Sequence, residues 1–178
     1  MADDILIDLL SHARVLQKRA RERDPEALRQ LRGLRECAAL SDAELASGVK
    51  RRQCLAALAR RLGFQSWPHA RAVLSGRERD DFGTLLYARE CHGHTNIWSA
   101  HYEEAREIHA AQRGYLLAYR RQFVIVDRYF IESLALDPDD SDWERIGRDW
   151  PRARDLAARG RLYRQLIHNQ LALGSLAS

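Results

Sequence analysis

Leu6, Leu9, Leu10, Ala13, Leu16 and Ala20 recur at three- and four-residue spacing, the period of one helix face. They predict an amphipathic helix over residues 4 to 22, with Asp3 or Asp4 as its start signal and a basic opposite face. Asp24-Pro25-Glu26 then combines an N-cap, a proline for the first helical position and a first-turn carboxylate. Leu28, Leu31 and Leu34 carry this second helix toward Leu40. Ser41-Asp42-Ala43-Glu44 has the spacing of a capping box and opens a third helical stretch, weakened by Gly48. A fourth helix runs from Lys50 to Gly63, and Ser66-Trp67-Pro68 starts a fifth that reaches Leu74 before Gly76. Phe64 and Trp67 read as core residues at the turn between the last two.

The pattern changes after the charged, glycine-framed run Gly76 to Gly83. Thr84 to Arg89 reads as a short strand, Cys91 to Trp98 as a loop, and Ser99 to Arg113 as a helix whose buried stripe is Trp98, Tyr102, Ala105 and Ile108. Tyr115 to Tyr119 and Phe123 to Val126 are β-rich; Arg120-Arg121-Gln122 between them permits one broken strand or, the preferred reading, a hairpin. Asp127 caps a short helix with Phe130, Ile131 and Leu134, and Asp137-Pro138 ends it. A further short helix carries Trp143 and Ile146, and Trp150-Pro151 turns the chain into a last helix with Leu156, Leu162, Leu166 and Ile167 on its apolar face, fraying from Gly174 to Ser178. The expected fold class is α+β, mostly α overall: a helical N-terminal module over 1–76, a linker over 77–83, and a small sheet covered by helices over 84–178.

At 178 residues and 46% apolar composition the chain can bury a substantial core. Its cations are 27 arginines against Lys18 and Lys50, a bias typical of a GC-rich bacterial genome. The net charge of +4 is unevenly placed, +6 in residues 1–79 and −2 in 80–178. Cys37, Cys54 and Cys91 are odd in number and far apart, which argues against a disulfide framework. The acidic start Met-Ala-Asp-Asp has no signal-peptide pattern, and no run approaches the roughly 18 apolar residues of a membrane span. A cytoplasmic protein without membrane association is the expectation.

The segment Leu62-Gly63-Phe64-Gln65-Ser66-Trp67-Pro68-His69-Ala70-Arg71 resembles the "L-G-F-x-S-W-x-x-L-K" helical module found near ankyrin-repeat and glyoxalase-related regions of bacterial proteins, with Ala70 in the usual leucine position. The resemblance implies a small helical accessory module over residues 50 to 75. The same residues align with the first helix and turn of a helix-turn-helix, but His69 falls where that motif needs an apolar residue and Pro68 where a base-reading side chain belongs.

Candidate chemistry gathers at Cys91-His92-Gly93-His94-Thr95-Asn96-Ile97-Trp98. A helix starting at Ser99 would place unpaired N–H groups beside Thr95, Asn96 and Ser99, suiting an anion or a polarised substrate. Cys91, His94, His101 and Glu104 form a candidate metal set suited to zinc or iron. Cys91 with His94 or His109 forms a candidate thiol centre, the cysteine as nucleophile and a histidine in proton transfer. Asn96, Trp98, Tyr102, Tyr119, Arg120 and Arg121 are candidates to line a binding pocket, the arginines favouring phosphate or carboxylate. A small-molecule anion or a protein is therefore the expected partner. Nucleic acid ranks behind them and would use Arg51, Arg52, Arg60, Arg61 and Arg71.

Three other chemistries fit poorly. A calcium loop starting at Asp137 would need glycine where Asp142 stands and an acid where Arg148 stands. The phosphate-loop, dinucleotide, zinc-protease and nucleophile-elbow signatures do not occur. Glu103 and Glu104, as helix neighbours, diverge by about 100° and cannot flank one glycosidic bond.

Overall fold

The computed structural model describes residues 2–87, 91 and 93–176. Its first part is helical: α1 (Ala2–Arg21), α2 (Pro25–Arg32), α3 (Asp42–Gly48), α4 (Arg51–Arg61) and α5 (Trp67–Leu74). The start signals act as expected. Asp24 accepts from the Ala27 N–H, Ser41 and Glu44 close a capping box, and Ser66 accepts from the His69 N–H. On α1, Ile5, Leu9, Ala13, Leu16 and Ala20 are buried, while Ile7 and Val15 stand 56% and 57% exposed on its outer side.

The second helix is shorter than its leucines imply. It stops at Arg32, beside Gly33, and three-residue bonds continue the chain from Leu34 N–H to Leu31 O, Cys37 N–H to Leu34 O and Leu40 N–H to Cys37 O. An apolar residue at every third position suits these tight turns better than an α-helix of 3.6 residues per turn.

The expected strand from Thr84 to Arg89 is a turn as far as Tyr87, and Ala88 and Arg89 lie outside the described residues. Thr84 N–H donates to Gly63 O (3.0 Å) and Tyr87 N–H to Thr84 O (3.0 Å). Leu85 and Leu86 are both buried, which an alternating strand face would not allow.

The strands are β1 (Ile97–Ser99), β2 (Tyr115–Tyr119) and β3 (Gln122–Val126), antiparallel in the order β1-β3-β2. The hairpin β2–β3 turns through Arg120, at φ +52°, and Arg121. The segment 148–150 covers the outer edge of β2, Leu116 N–H donating to Arg148 O and Trp150 N–H to Leu116 O. One sheet face carries Leu116, Ile125 and Phe123 under Ala105, Tyr102 and Ile108 of α6 (Tyr102–Gln112). The other, with Leu117, Val124 and Val126, joins the main core.

Helices α7 (Arg128–Ser133), α8 (Ser141–Arg145) and α9 (Leu156–Leu176) complete the chain. Asp127 caps α7, as its position predicts, and Asp140 caps α8. The last helix continues past Gly174 to Leu176; of its expected apolar face Leu162, Leu166 and Ile167 are buried, but Leu156 at its first turn is 52% exposed. A column of rings ties this helix to the sheet: Tyr115–Trp143, Trp143–Trp150 and Trp150–Tyr163 centroids lie 4.9, 5.3 and 4.7 Å apart. The chain is thus mostly α with a small antiparallel sheet, and its main apolar cluster takes residues from both sides of segment 77–83. Among the described residues no helix is long and apolar enough to cross a membrane.

Gly63 holds the turn between α4 and the 84–87 segment. Its φ is +81°, and a Cβ there would lie 2.2 Å from Thr84 Oγ1 and 3.1 Å from Leu85 N. Gly63→Ala is expected to lower stability by about 1–3 kcal/mol, read from urea unfolding, through left-handed strain and displacement of Thr84. Gly48→Ala, where a Cβ meets nothing within 4 Å, serves as the control.

Candidate functional site

The loop that concentrates the reactive side chains is built differently from its sequence reading. Strand β1 follows the loop, and α6 begins only at Tyr102, so Thr95 and Asn96 sit before a strand rather than at a helix N-terminus. Ser99 is the residue that serves α6: its Oγ accepts from the His101 N–H at 3.0 Å and donates to the Glu104 carboxylate. Trp98 belongs to β1 instead of the buried stripe of α6 and is 40% exposed.

The candidate metal and thiol residues separate. Cys91 is fully buried. His94 faces α7, its Nε2–H donating to Ser133 Oγ at 2.8 Å, with its ring against Phe130. His101 is exposed, and Glu104 is engaged by Ser99. His109 lies in the last turn of α6, its Nε2–H donating to Gly114 O at 3.0 Å. The sheet stands between His109 and His94, because α6 covers one face while Phe130 packs in the cluster on the other. No group of three His, Cys, Asp or Glu side chains able to hold a metal occurs among the described residues, from which His92 is missing.

The six residues expected to line a pocket also divide across the sheet. Trp98 and Tyr119 meet, with centroids 5.9 Å apart, and both pack on Tyr87. Asn96 donates to His94 O at 3.3 Å. Tyr102 lies with Phe123 on the α6 side; its hydroxyl donates to the Asp149 carboxylate and Arg152 stacks 3.9 Å from its ring centroid. Burial, with the Asp149 carboxylate adding to it, pushes the Tyr102 phenol well above its ordinary range. Arg120 and Arg121 are exposed at the hairpin tip, where Arg120 exchanges backbone bonds with residues 82 and 83. Of the basic set, Arg51, Arg60 and Arg61 donate to the carbonyls of Leu10, Gly33 and Leu171, while Arg52 and Arg71 are exposed.

A large concave feature lies elsewhere. Helices α1 and α9 run side by side in the same direction: Asp8 accepts from Arg164 Nε at 2.8 Å, and one turn further His12 and His168 interact. Between them and the 135–137 turn opens a cleft of about 740 Å³, floored by Ile5, Leu9, Ile167 and Leu171. Asp8, His12, Arg164, His168 and Asn169 stand along its walls. Asn169 is fastened to Ala135 O at 2.6 Å, which closes the far end. The volume falls within the roughly 300–1,000 Å³ of small-molecule sites.

Sequence reasoning missed this site. Its only linear trace is a pair of i, i+4 polar couples, Asp8 with His12 and Arg164 with His168, each beside an apolar stripe. No local pattern says that the two helices adjoin.

Comparison of the chain with protein-family models, curated proteins and solved structures finds no match.

His12 lies on the cleft rim, its Nδ1–H donating to Asp8 O at 3.1 Å. Burial holds its imidazole below the usual histidine value; Asp8 opposes that shift, and His168 and Arg61 add to it. An unfolded chain therefore binds a proton near pH 6.5 that the folded chain resists, so this group lowers stability as pH falls from about 6.5 through the depressed value. Urea midpoints taken between pH 7.5 and 5 are expected to fall less in His12→Gln than in the wild type. Parallel pH profiles would contradict the assignment.

A second prediction concerns thiol reactivity. Burial raises the Cys54 thiol to about 11 and also raises Cys37. Neither should react measurably with iodoacetamide at pH 8 in the native protein, whereas both should be alkylated in urea, as mass spectrometry would show.

Proposed function

We propose that this protein binds a small organic molecule in the cleft between α1 and α9. The observation that carries the reading is the cleft itself: an apolar floor of aliphatic side chains, with polar groups confined to the walls, as in sites that bury a ligand's body and orient it by a few directed bonds. The pairing of Asp8 with Arg164 supports it further, since that ion pair braces the two walls at fixed separation and leaves the floor apolar. The Cys91–Trp98 loop, the expected location of a ligand, metal or anion, gives way to this cleft because its His94 and the later candidates Glu104 and His109 are engaged separately, His94 at α7 and the other two on α6. A reducing, cytoplasmic setting in a bacterial cell accompanies the proposal, supported by Cys37 and Cys54 held as buried thiols and by the arginine-rich composition.

The reading is tested with 1-octanol and octanoate by isothermal titration calorimetry on the wild type and on Ser11→Trp. Ser11 is exposed on the cleft wall, so an indole there obstructs the opening without entering the core. Saturable binding of at least one probe is expected, weakened at least about tenfold by the substitution, or ~1.4 kcal/mol. Binding of neither probe, or equal binding by the variant with its circular dichroism spectrum intact, would refute it.

A further inference from the structure

The α1–α9 cleft does not end at the histidines. A second hollow of about 420 Å³ continues beyond them, and the two share Ser11, His12, His168 and Leu171 along their common border. The compartments differ in charge. The first holds the paired Asp8 and Arg164, with Asp137 near its far end. The second is lined by Arg19, Arg61, His12 and His168 and by no carboxylate, although Arg19 is engaged by Asp24 outside it. The His12 ring uses Nδ1 on the Asp8 carbonyl, which leaves Nε2 for a ligand. His168 makes no hydrogen bond among the described residues through either ring nitrogen.

We propose that the two hollows form one site for an amphiphilic anion, with its hydrocarbon chain on the floor of Ile5, Leu9, Ile167 and Leu171 and its anionic head group at the border, between His12, His168 and Arg61. The assignment rests on the reading of the cleft as a ligand site and adds the chemical class of the ligand. Two features carry it. An apolar trough opens directly onto a cationic one, so a molecule long enough to lie in both must be apolar at one end and negative at the other. Burial chiefly disfavours a charge on His12, with His168 and Arg61 adding to it against Asp8, so an anion placed among these groups offsets like-charge repulsion at the border.

Relief of that repulsion links binding to protonation. The groups facing His12 are Asp8 on its own helix, Arg61 from α4, and Arg164 and His168 from α9, with Asp137 across the first hollow. Asp8 is paired with Arg164, so the anion meets the Arg61 guanidinium at a border whose positive charge grows as His12 gains its proton.

The test compares octanoate with 1-octanol, which share a chain and differ in the head group, using the full chain at pH 6 and pH 8. Octanoate is expected to bind about tenfold more tightly than octanol at pH 6 and to lose most of that preference at pH 8. His12→Gln/His168→Gln should reduce the preference at pH 6 to less than about threefold, with the circular dichroism spectrum unchanged. Equal binding of the two probes by the wild type would overturn the head-group assignment and leave the cleft as a ligand site; binding of neither would remove the cleft reading itself. Sedimentation with phosphatidylglycerol vesicles separates a bilayer source from a free one: protein that pellets with vesicles yet binds no octanoate would overturn the proposal in favour of a membrane surface.

Discussion

Burial of the inner side of α9 is the constraint on which the rest of the structure depends. Ala158, Leu162, Tyr163, Leu166, Ile167 and Leu171 lie in the main apolar cluster together with Ile5, Leu9 and Ala13 from the start of the chain. At about 25 cal/mol per Å² of apolar surface, removing such a helix face from water outweighs any single polar contact at its edges. The same helix is joined to the sheet by the Tyr115–Trp143–Trp150–Tyr163 column and to α8 by a two-point bond from Arg161 to the Asp142 carboxylate, 2.7 and 2.6 Å. It is therefore the element through which the helical first half and the sheet-bearing second half share one interior.

That arrangement has a geometric consequence for function. Two helices that pack in the same direction bring residues of equal offset together, so couples four apart on each helix face one another as layers. The Asp8–Arg164 layer is an ion pair, and its neighbour, His12 with His168, is a pair of like groups whose charged forms repel. The first layer bridges the two walls of the cleft and the second lines the border between its two hollows. At one end of the cleft Asn169 fastens the 134–137 turn to α9 through Ala135 O.

Grouping of residue types along a chain is a weaker guide than the elements that carry them. Cys91, His94, His101 and His109 lie within nineteen positions, yet a strand, a sheet face and a helix intervene and send them to different surroundings. The His94 ring goes to α7, His109 to a helix C-terminus, and Cys91 to the interior. Both imidazoles find a local hydrogen-bond partner, as half-buried polar groups must when an unmet bond costs about 1–3 kcal/mol. Trp98 lies in β1 rather than on the α6 stripe for a related reason. A three-residue strand is too short to leave a period-2 signature, so its spacing from Tyr102 and Ala105 resembled a helix stripe.

Several helix starts are legible in the sequence, because a cap is a contact between residues two or three positions apart: Asp24, Ser41, Ser66 and Asp127 each act on the helix that follows them. The mostly α class with a small sheet is legible there too, and the two β-rich runs favour a hairpin over one broken strand, which the pairing of β2 with β3 bears out. Tertiary structure alone decided that α1 and α9 lie side by side, that Thr84–Tyr87 folds as a turn onto Gly63, and that the candidate cleft joins residues more than 150 positions apart. The reason is range: capping and turn preferences act between near neighbours, whereas the burial that brings the two ends together is non-directional and set by the shape of the whole core.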